Sequence, residues 1–169
     1  MFIFVIANCN NKDIIKLLQF AITFNIFFMK PIVRRSSCAI SYTLDILGDK
    51  WSLLILRDLL FAKKDSFSDF KCSDEKIATN ILTDRLNTLV QEGFVTKKAS
   101  PLNKSKFLYR PTEKALKLIP LLTEILLWAE NYNPDGAPQD FIVPLKKDKK
   151  KAVKKIREEI ENHYKSVDA

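Results

Sequence analysis

Apolar residues recur at helical spacing through most of the chain, and the places where that spacing stops divide it into elements. From Cys38 to Leu47, Ile40, Leu44 and Leu47 repeat every three or four positions, with Ser36 or Ser37 in the N-cap position and Gly48 just past the end. Glycine is favoured there because the residue after a helix usually turns left-handed. A second helix over Lys50 to Phe61 carries Trp51, Leu54, Ile55 and Leu59, with Arg57 among them. Ser66 caps a short third one to Lys71, with Phe67 and Phe70 facing inward, and Ile77 to Glu92 forms the best-patterned helix of the centre, closed by Gly93. After Gly93 the period changes. Phe94 to Lys98 and Phe107 to Arg110 are extended in composition, and Ser100 to Lys106 between them is loop chemistry. A long helix from Glu113 to about Asn131 follows.

Helices, then a β-hairpin, then a long helix is the order of a winged helix-turn-helix, so the predicted fold is mainly α with a small β-hairpin. On a wheel of about 100° per residue, Leu82, Leu86, Leu89 and Val90 share one side of the fourth helix. Asn80, Thr83, Asp84, Asn87 and Gln91 share the other, with Thr79 at the tip. Asn, Thr and Gln supply the donors and acceptors that base edges in the major groove require. Asp84 would accept from cytosine, and Arg85, to the side of this face, would meet a phosphate or pair with Asp84 or Glu92. Any solvated helix also shows a polar face. On the hairpin, Lys97, Lys98, Lys104 and Lys106, with Arg110 on the return strand, are placed to neutralise phosphates and release counterions; a solvated tip kept soluble by charge is the alternative. Lys104 and Lys106 are the strongest candidates for phosphate or minor-groove contact.

The last helix is apolar beyond one face. Leu116, Ile119, Leu122, Leu126 and Ala129 form a stripe that Leu118, Leu121, Ile125, Leu127, Trp128 and Tyr132 widen. A helix apolar on most of its surface must be covered on both sides, which reads as a homodimer interface centred on Leu118, Leu122, Ile125, Leu126 and Trp128. Burial within one chain, or against residues 1–28, would also satisfy it. Asp135 to Pro138 reads as a linker. Residues 146–157 then carry eight Lys or Arg against one Asp, either adding non-specific DNA affinity or forming a solvated tail helix with Val153, Ile156, Ile160 and Tyr164 as a thin stripe.

The first 28 residues are rich in Phe and Ile, but their longest mainly apolar uncharged run, Leu17 to Met29, has thirteen residues, against the roughly 20 needed to span a bilayer. No stable membrane insertion is expected, and the basic n-region of a secretory signal is missing. Met29 is an alternative start; if the segment is made, Ile14, Ile15, Leu18, Ile22 and Ile26 share a helical face. The expected organisation is an extension over 1–35, a DNA-binding domain over 36–134, and a linker with a basic helix over 135–169.

Charge sharpens this picture. The 169 residues carry 28 Lys and Arg against 20 Asp and Glu, a net +8, which suits nucleic acid or an acidic membrane face. One His, near the C-terminus, cannot build a triad or most zinc sites, and three Gly cannot build a phosphate loop. No cofactor, metal or catalysis is expected. The three Cys, at 9, 38 and 72, match no CxxC spacing, which points to free thiols in a reducing, cytoplasmic setting.

The run from Cys38 through Gly48-Asp-Lys-Trp51 to Ile55-Leu-Arg57-Asp-Leu-Leu-Phe61 resembles the opening of HxlR-type transcriptional regulators, relatives of the MarR group. Ile77 to Leu86, Leu89 to Val95 and Tyr109 to Thr112 resemble that family's recognition helix, wing entry and wing exit, so the likeness covers roughly residues 36–132. Pro111-Thr112-Glu113 stands where the family has Leu-Thr-Pro, and Ala115 where Gly is usual; both departures touch the start of the last helix. The resemblance implies a double-stranded DNA partner with a palindromic operator, a repressor's role and a twofold dimer joined through the first and last helices. It also implies that Cys38 senses oxidants or reactive electrophiles, with a small molecule or oxidant as inducer. At a helix N-terminus, with Arg34 and Arg35 upstream, its thiolate would be stabilised; a small hydrophobe that packs the first helix is the bland reading. The alternatives to a sensing regulator are a constitutive DNA binder and a membrane-associated interaction module.

Overall fold

A computed structural model of the chain describes residues 32, 34–101 and 103–168. The chain divides into two units, Met1–Arg34 and Arg35–Ala169, and all the described helices and strands lie in the second. Cys9, Met29 and the proposed face from Ile14 to Ile26 lie outside the described residues.

Helix α1 spans Ala39–Leu47 and is capped by the extended backbone of Cys38, φ −68° and ψ 129°, without a side-chain bond. Ser36 instead accepts from the Cys38 N–H at 3.2 Å from two residues ahead of the cap, so neither Ser36 nor Ser37 takes the N-cap position expected of them. Gly48 keeps a right-handed backbone, φ −78° and ψ −1°, not the left-handed one its position predicted. Close approach explains the glycine: a Cβ there would stand 2.3 Å from the Leu44 carbonyl oxygen. Helix α2, Ser52–Leu60, starts from Asp49, whose carboxylate accepts from the N–H groups of Trp51 at 2.8 Å and Ser52 at 3.0 Å. The turn between the two helices is thus an acid satisfying orphan donors of a helix start.

Ser66 opens α3, Phe67–Lys71, through a capping box with Asp69. Phe70 is buried, while Phe67 is only half-buried. Helix α4, Thr79–Gln91, ends at Gly93, where φ is +71°. Phe94 N–H donates back to Leu89 O at 2.9 Å and Gly93 N–H to Val90 O at 3.1 Å, the bond pair of a Schellman close, which needs the left-handed residue that glycine supplies. Strands β1, Val95–Ala99, and β2, Phe107–Pro111, pair antiparallel with Val95 opposite Pro111, Lys97 opposite Tyr109 and Ala99 opposite Phe107. The hairpin is tied to the entry of α3 by a Ser66–Leu108 bridge and by Tyr109 N–H donating to Asp65 O at 2.7 Å.

Two helices stand where one was expected: α5, Glu113–Leu116, and α6, Ile119–Glu130. Pro120 is the cause. Inside a continuous helix it would leave an acceptor unpaired and crowd the preceding turn, whereas in the first turn of α6 its missing N–H is harmless. A 3₁₀ turn, Pro134–Gly136, then leads to α7, Gln139–Lys147, and α8, Lys149–Asp168. Helix α8 is not a solvated tail: Ala152, Ile160 and Tyr164 are buried, and the Tyr164 hydroxyl donates to Leu59 O at 2.7 Å.

Leu56, Leu59 and Leu60 of α2, Leu82, Leu86 and Leu89 of α4, and Ile119 of α6 form the fully buried centre. Each of these side chains stabilises the fold by roughly 1.5–3 kcal/mol through burial, and together they fix α4 with its apolar side inward. Among the described residues no helix is long and apolar enough to cross a membrane.

Candidate nucleic-acid interface

Burial of Leu82, Leu86 and Leu89 turns the other side of α4 outward. Thr79, Asn80, Thr83 and Asp84 are exposed there, with Asn87 half-buried. The Thr83 hydroxyl donates to Thr79 O at 2.8 Å, which leaves its oxygen facing outward as an acceptor. Arg85 bridges two acids. Its Nε donates to Asp84 at 3.0 Å and its Nη1 meets Asp49 at 3.3 Å, so this guanidinium links the recognition helix to the cap of α2. Burial would lower the Arg85 pKa, but the bond to Asp84 and the charge of Asp49 hold it above its ordinary value. Burial likewise pushes the Asp49 carboxyl up, and bonds from the Ser52 hydroxyl and the Trp51 and Ser52 N–H groups, with Arg85 beside it, keep it below the usual range. Asp49 escaped sequence reasoning; its place ahead of a helix start was the available signal.

On the wing, Lys97, Lys98, Lys104 and Lys106 are all exposed. Lys97 Nζ lies 4.4 Å from the Phe107 ring centroid and 6.0 Å from that of Tyr109, contacts that direct the ammonium along one face of the hairpin. The tip is held by Lys106 N–H donating to Asn103 O at 2.9 Å and Ser100 N–H to Lys106 O at 2.8 Å. Arg110 departs from expectation. It is buried, with Nη1 bonded to Asp65 at 2.7 Å, so it does not share the outward charge of the lysines. Strand alternation places it on the face that α8 covers.

Between α4 and the wing runs a groove of about 430 Å³. It brings together Thr83, Asn87, Lys97 and Lys106 of the sequence-predicted set, and adds Ser66, Phe67 and Ser68 from the start of α3, with Ser105, Phe107 and Tyr109 from the wing. Lys98 and Lys104 do not line it, nor do Thr79, Asn80, Asp84 or Arg85. Hydroxyls, an amide and two ammonium groups stand there beside the rings of Phe67, Phe107 and Tyr109, and those polar groups suit a polyanion with polar edges.

The remaining candidates lie elsewhere. Ile125 and Trp128 are exposed on α6, at 40% and 66%, together with Leu121, as is Tyr132 just past its end, and on α1 Ile40 and Leu44 are exposed as well. Leu118 and Leu126 are half-buried, and Leu122 is buried in the chain's own core, so its side chain serves internal packing. Cys38 and Cys72 are exposed free thiols. Backbone hydrogen bonds from Ser41 and then Ile40 lower the Cys38 pKa, which makes the helix start the cause, in place of the upstream arginines. Arg35 is instead engaged with Asp45.

A family model described as HxlR-like helix-turn-helix matches residues 46–137, more than half of the chain. The chain belongs to this family. The HxlR-like region begins inside α1 and closes just after the 3₁₀ turn, so α2 to α6 and the wing lie within it and α7 and α8 beyond it. This is a class of transcriptional regulators, not of enzymes, and its helix-turn-helix is a DNA-binding domain. Among curated relatives, the chain is similar to the uncharacterised HTH-type transcriptional regulator YdeP of Bacillus subtilis, with 32% identity over 95 residues, 56% of this chain and 73% of YdeP. A second uncharacterised regulator of that type, BH0655 of Halalkalibacterium halodurans, is 32% identical over 87 residues, 52% of this chain and 77% of the relative. The crystal structure of PA1607 is similar over 59% of this chain and 68% of its own, with a TM-score of 0.53 and 38% identity.

Proposed function

We propose that this HxlR-like protein is a dimeric, sequence-specific transcriptional repressor that sets α4 in the major groove of a palindromic operator. The carrying observation is the groove that joins the outward polar side of α4 to Lys97 and Lys106 of the wing. Thr79, Asn80, Thr83, Asp84 and Asn87 supply base-edge chemistry, while Lys97, Lys98, Lys104 and Lys106 supply phosphate or minor-groove contact. Arg85 positions the helix through Asp49 and Asp84. The exposed apolar side chains of α1 and α6 support a twofold dimer, which would space two recognition helices by about one DNA turn, roughly 34–36 Å. Cys38 supports thiol sensing in a cytoplasmic setting: it is exposed, its pKa is lowered, and it sits on the helix that carries Ile40 and Leu44. A quinone inducer would combine with the thiol to a thioether hydroquinone, with no other reductant required.

The test titrates the full chain against the duplex upstream of its own gene and against a scrambled duplex, followed by fluorescence anisotropy with and without a quinone. The expected result is a preference of roughly a thousandfold or more for the first duplex, lost on modification and retained by Cys38→Ser. Equal, steeply salt-dependent binding to both duplexes would remove operator specificity for that site. A quinone response that persists in Cys38→Ser would remove the sensing role and favour a constitutive binder.

A further inference from the structure

The HxlR-like match ends at residue 137, yet the second helix beyond it, α8, reaches back to the base of the wing. We propose that α8 sets the angle of the wing, with Tyr164 and Arg110 as positioning residues for DNA contact. The Tyr164 hydroxyl is fixed to Leu59 O of α2 at 2.7 Å. Its ring carries the Arg110 guanidinium, whose carbon lies 5.1 Å from the ring centroid. The same guanidinium reaches Asp65 at 2.7 Å, and Asp65 O accepts from the Tyr109 N–H at 2.7 Å. At the first residue of α5, Glu113 accepts from Arg157 of α8 at 2.7 Å, and Arg157 is braced by Glu161 at 2.8 Å. Strand β2 is therefore gripped at Tyr109 and Arg110 from both sides, by Asp65 just ahead of the α3 cap and by α8.

Beyond those residues the wing is held by the pairing of its own strands and the Ser66–Leu108 bridge. Its angle is thus decided at the base. From Arg110 to Lys106 is about 13 Å at roughly 3.3 Å per residue. A tilt of ~10° at the base moves the tip by about 2 Å, enough to break a hydrogen bond or salt contact of ordinary length. A buried arginine on the second strand is well suited to hold such an angle. Its charge must stay matched by Asp65 as it is taken from water, and its planar group stacks on a ring in one orientation.

The inference rests on the reading that the wing touches DNA. It is tested with the full chain on a scrambled duplex, because phosphate contact by the wing does not depend on sequence. Anisotropy titrations over a series of salt concentrations compare wild type, Tyr164→Leu and Tyr164→Phe, each with and without Lys104→Ala/Lys106→Ala. Tyr164→Leu, with circular dichroism showing an intact fold, is expected to bind about tenfold more weakly. Its salt slope should fall by about 2 per protomer, one for each lysine at the wing tip, and the lysine changes should then add nothing. Tyr164→Phe keeps the ring under Arg110 and should restore most of the slope. Should Tyr164→Leu fail to fold, Arg110→Lys keeps the charge opposite Asp65 without the stacking plane and carries the same expectation. A wild-type slope in the folded variant, or a full additional loss from the lysine changes, would overturn the inference while leaving the regulator reading intact. Wild type that binds no duplex at low salt would overturn both.

Discussion

Two stretches of this chain are rich in lysine, the wing with four and the segment from Lys146 to Arg157 with seven, and the structure treats their charges differently. In the second, Lys146 pairs with Glu130, Lys149 with Glu124 and Arg157 with Glu113, while Lys154 and Lys155 stand 3.8 and 3.6 Å from Glu158 and Glu159 one helical turn on. On the wing, Lys97, Lys98, Lys104 and Lys106 are exposed, and among the described residues none of them forms an ion pair with a carboxylate. A run of positive residues therefore says little about a partner until its carboxylates are located. The lysines of α8 belong to a helix whose other side is core, and those of the wing extend from a hairpin with little else to bind.

That contrast can be broken in several ways. The largest effect is expected in the core of α8: Ile160→Ala should lower unfolding free energy by about 2–5 kcal/mol, read by chemical denaturation. A value near zero would return α8 to the status of a solvated tail. Next comes the wing, where Lys104→Ala/Lys106→Ala should weaken DNA binding roughly ten- to a hundredfold and flatten its salt dependence, with no change in thermal midpoint. A smaller effect belongs to a cation already matched inside the domain. Arg57 donates to Glu75 at 2.6 and 3.0 Å, and this bond, against a desolvation that opposes it, holds the Glu75 carboxyl at about 2, below the 4.5 of the free group. The pair therefore contributes stability above the unfolded value that is lost as pH falls from about 5 toward 2. Its exposure limits the contribution to about 0–1 kcal/mol. Denaturation midpoints over that range should drop less in Glu75→Gln than in wild type, and equal drops would remove the pair from the account. Smallest of all, Lys154→Ala/Lys155→Ala should change stability by no more than about 0.3–0.5 kcal/mol per pair and DNA affinity by less than twofold. A loss matching that of the wing would show the two regions to be equivalent partners of DNA.

Local signals carried most of the fold. Ser66 ahead of an acid three residues on, Gly93 after an amphipathic run and the change of period at Phe94 each have a short-range physical cause, and each element stands where that cause puts it. What escaped depends on partners distant in the chain. Nothing near Arg110 announces that Asp65 and Tyr164 will draw it inward, and Leu122 is indistinguishable from Ile125 on a stripe until the core on one side is known. The unbroken helix from Glu113 is a different case, since Pro120 was in plain view and its steric demand was outweighed by the apolar run around it. Asp49 was likewise visible as a cap, but its tie to Arg85 spans thirty-six residues. The outward row on α4 was legible because one strongly patterned helix defines both of its sides.

The pairing of Asp84 with Arg85 has a kinetic consequence. These are the only charged side chains of the thirteen-residue α4, so the helix brings no net charge to the groove while the wing brings lysines. On the proposed function, long-range attraction and sliding along the duplex would depend on the wing and vary steeply with salt, whereas residence time at a matching sequence would depend on α4 and vary little. Search and arrest would then be separable, adjustable by substitution in one element without altering the other.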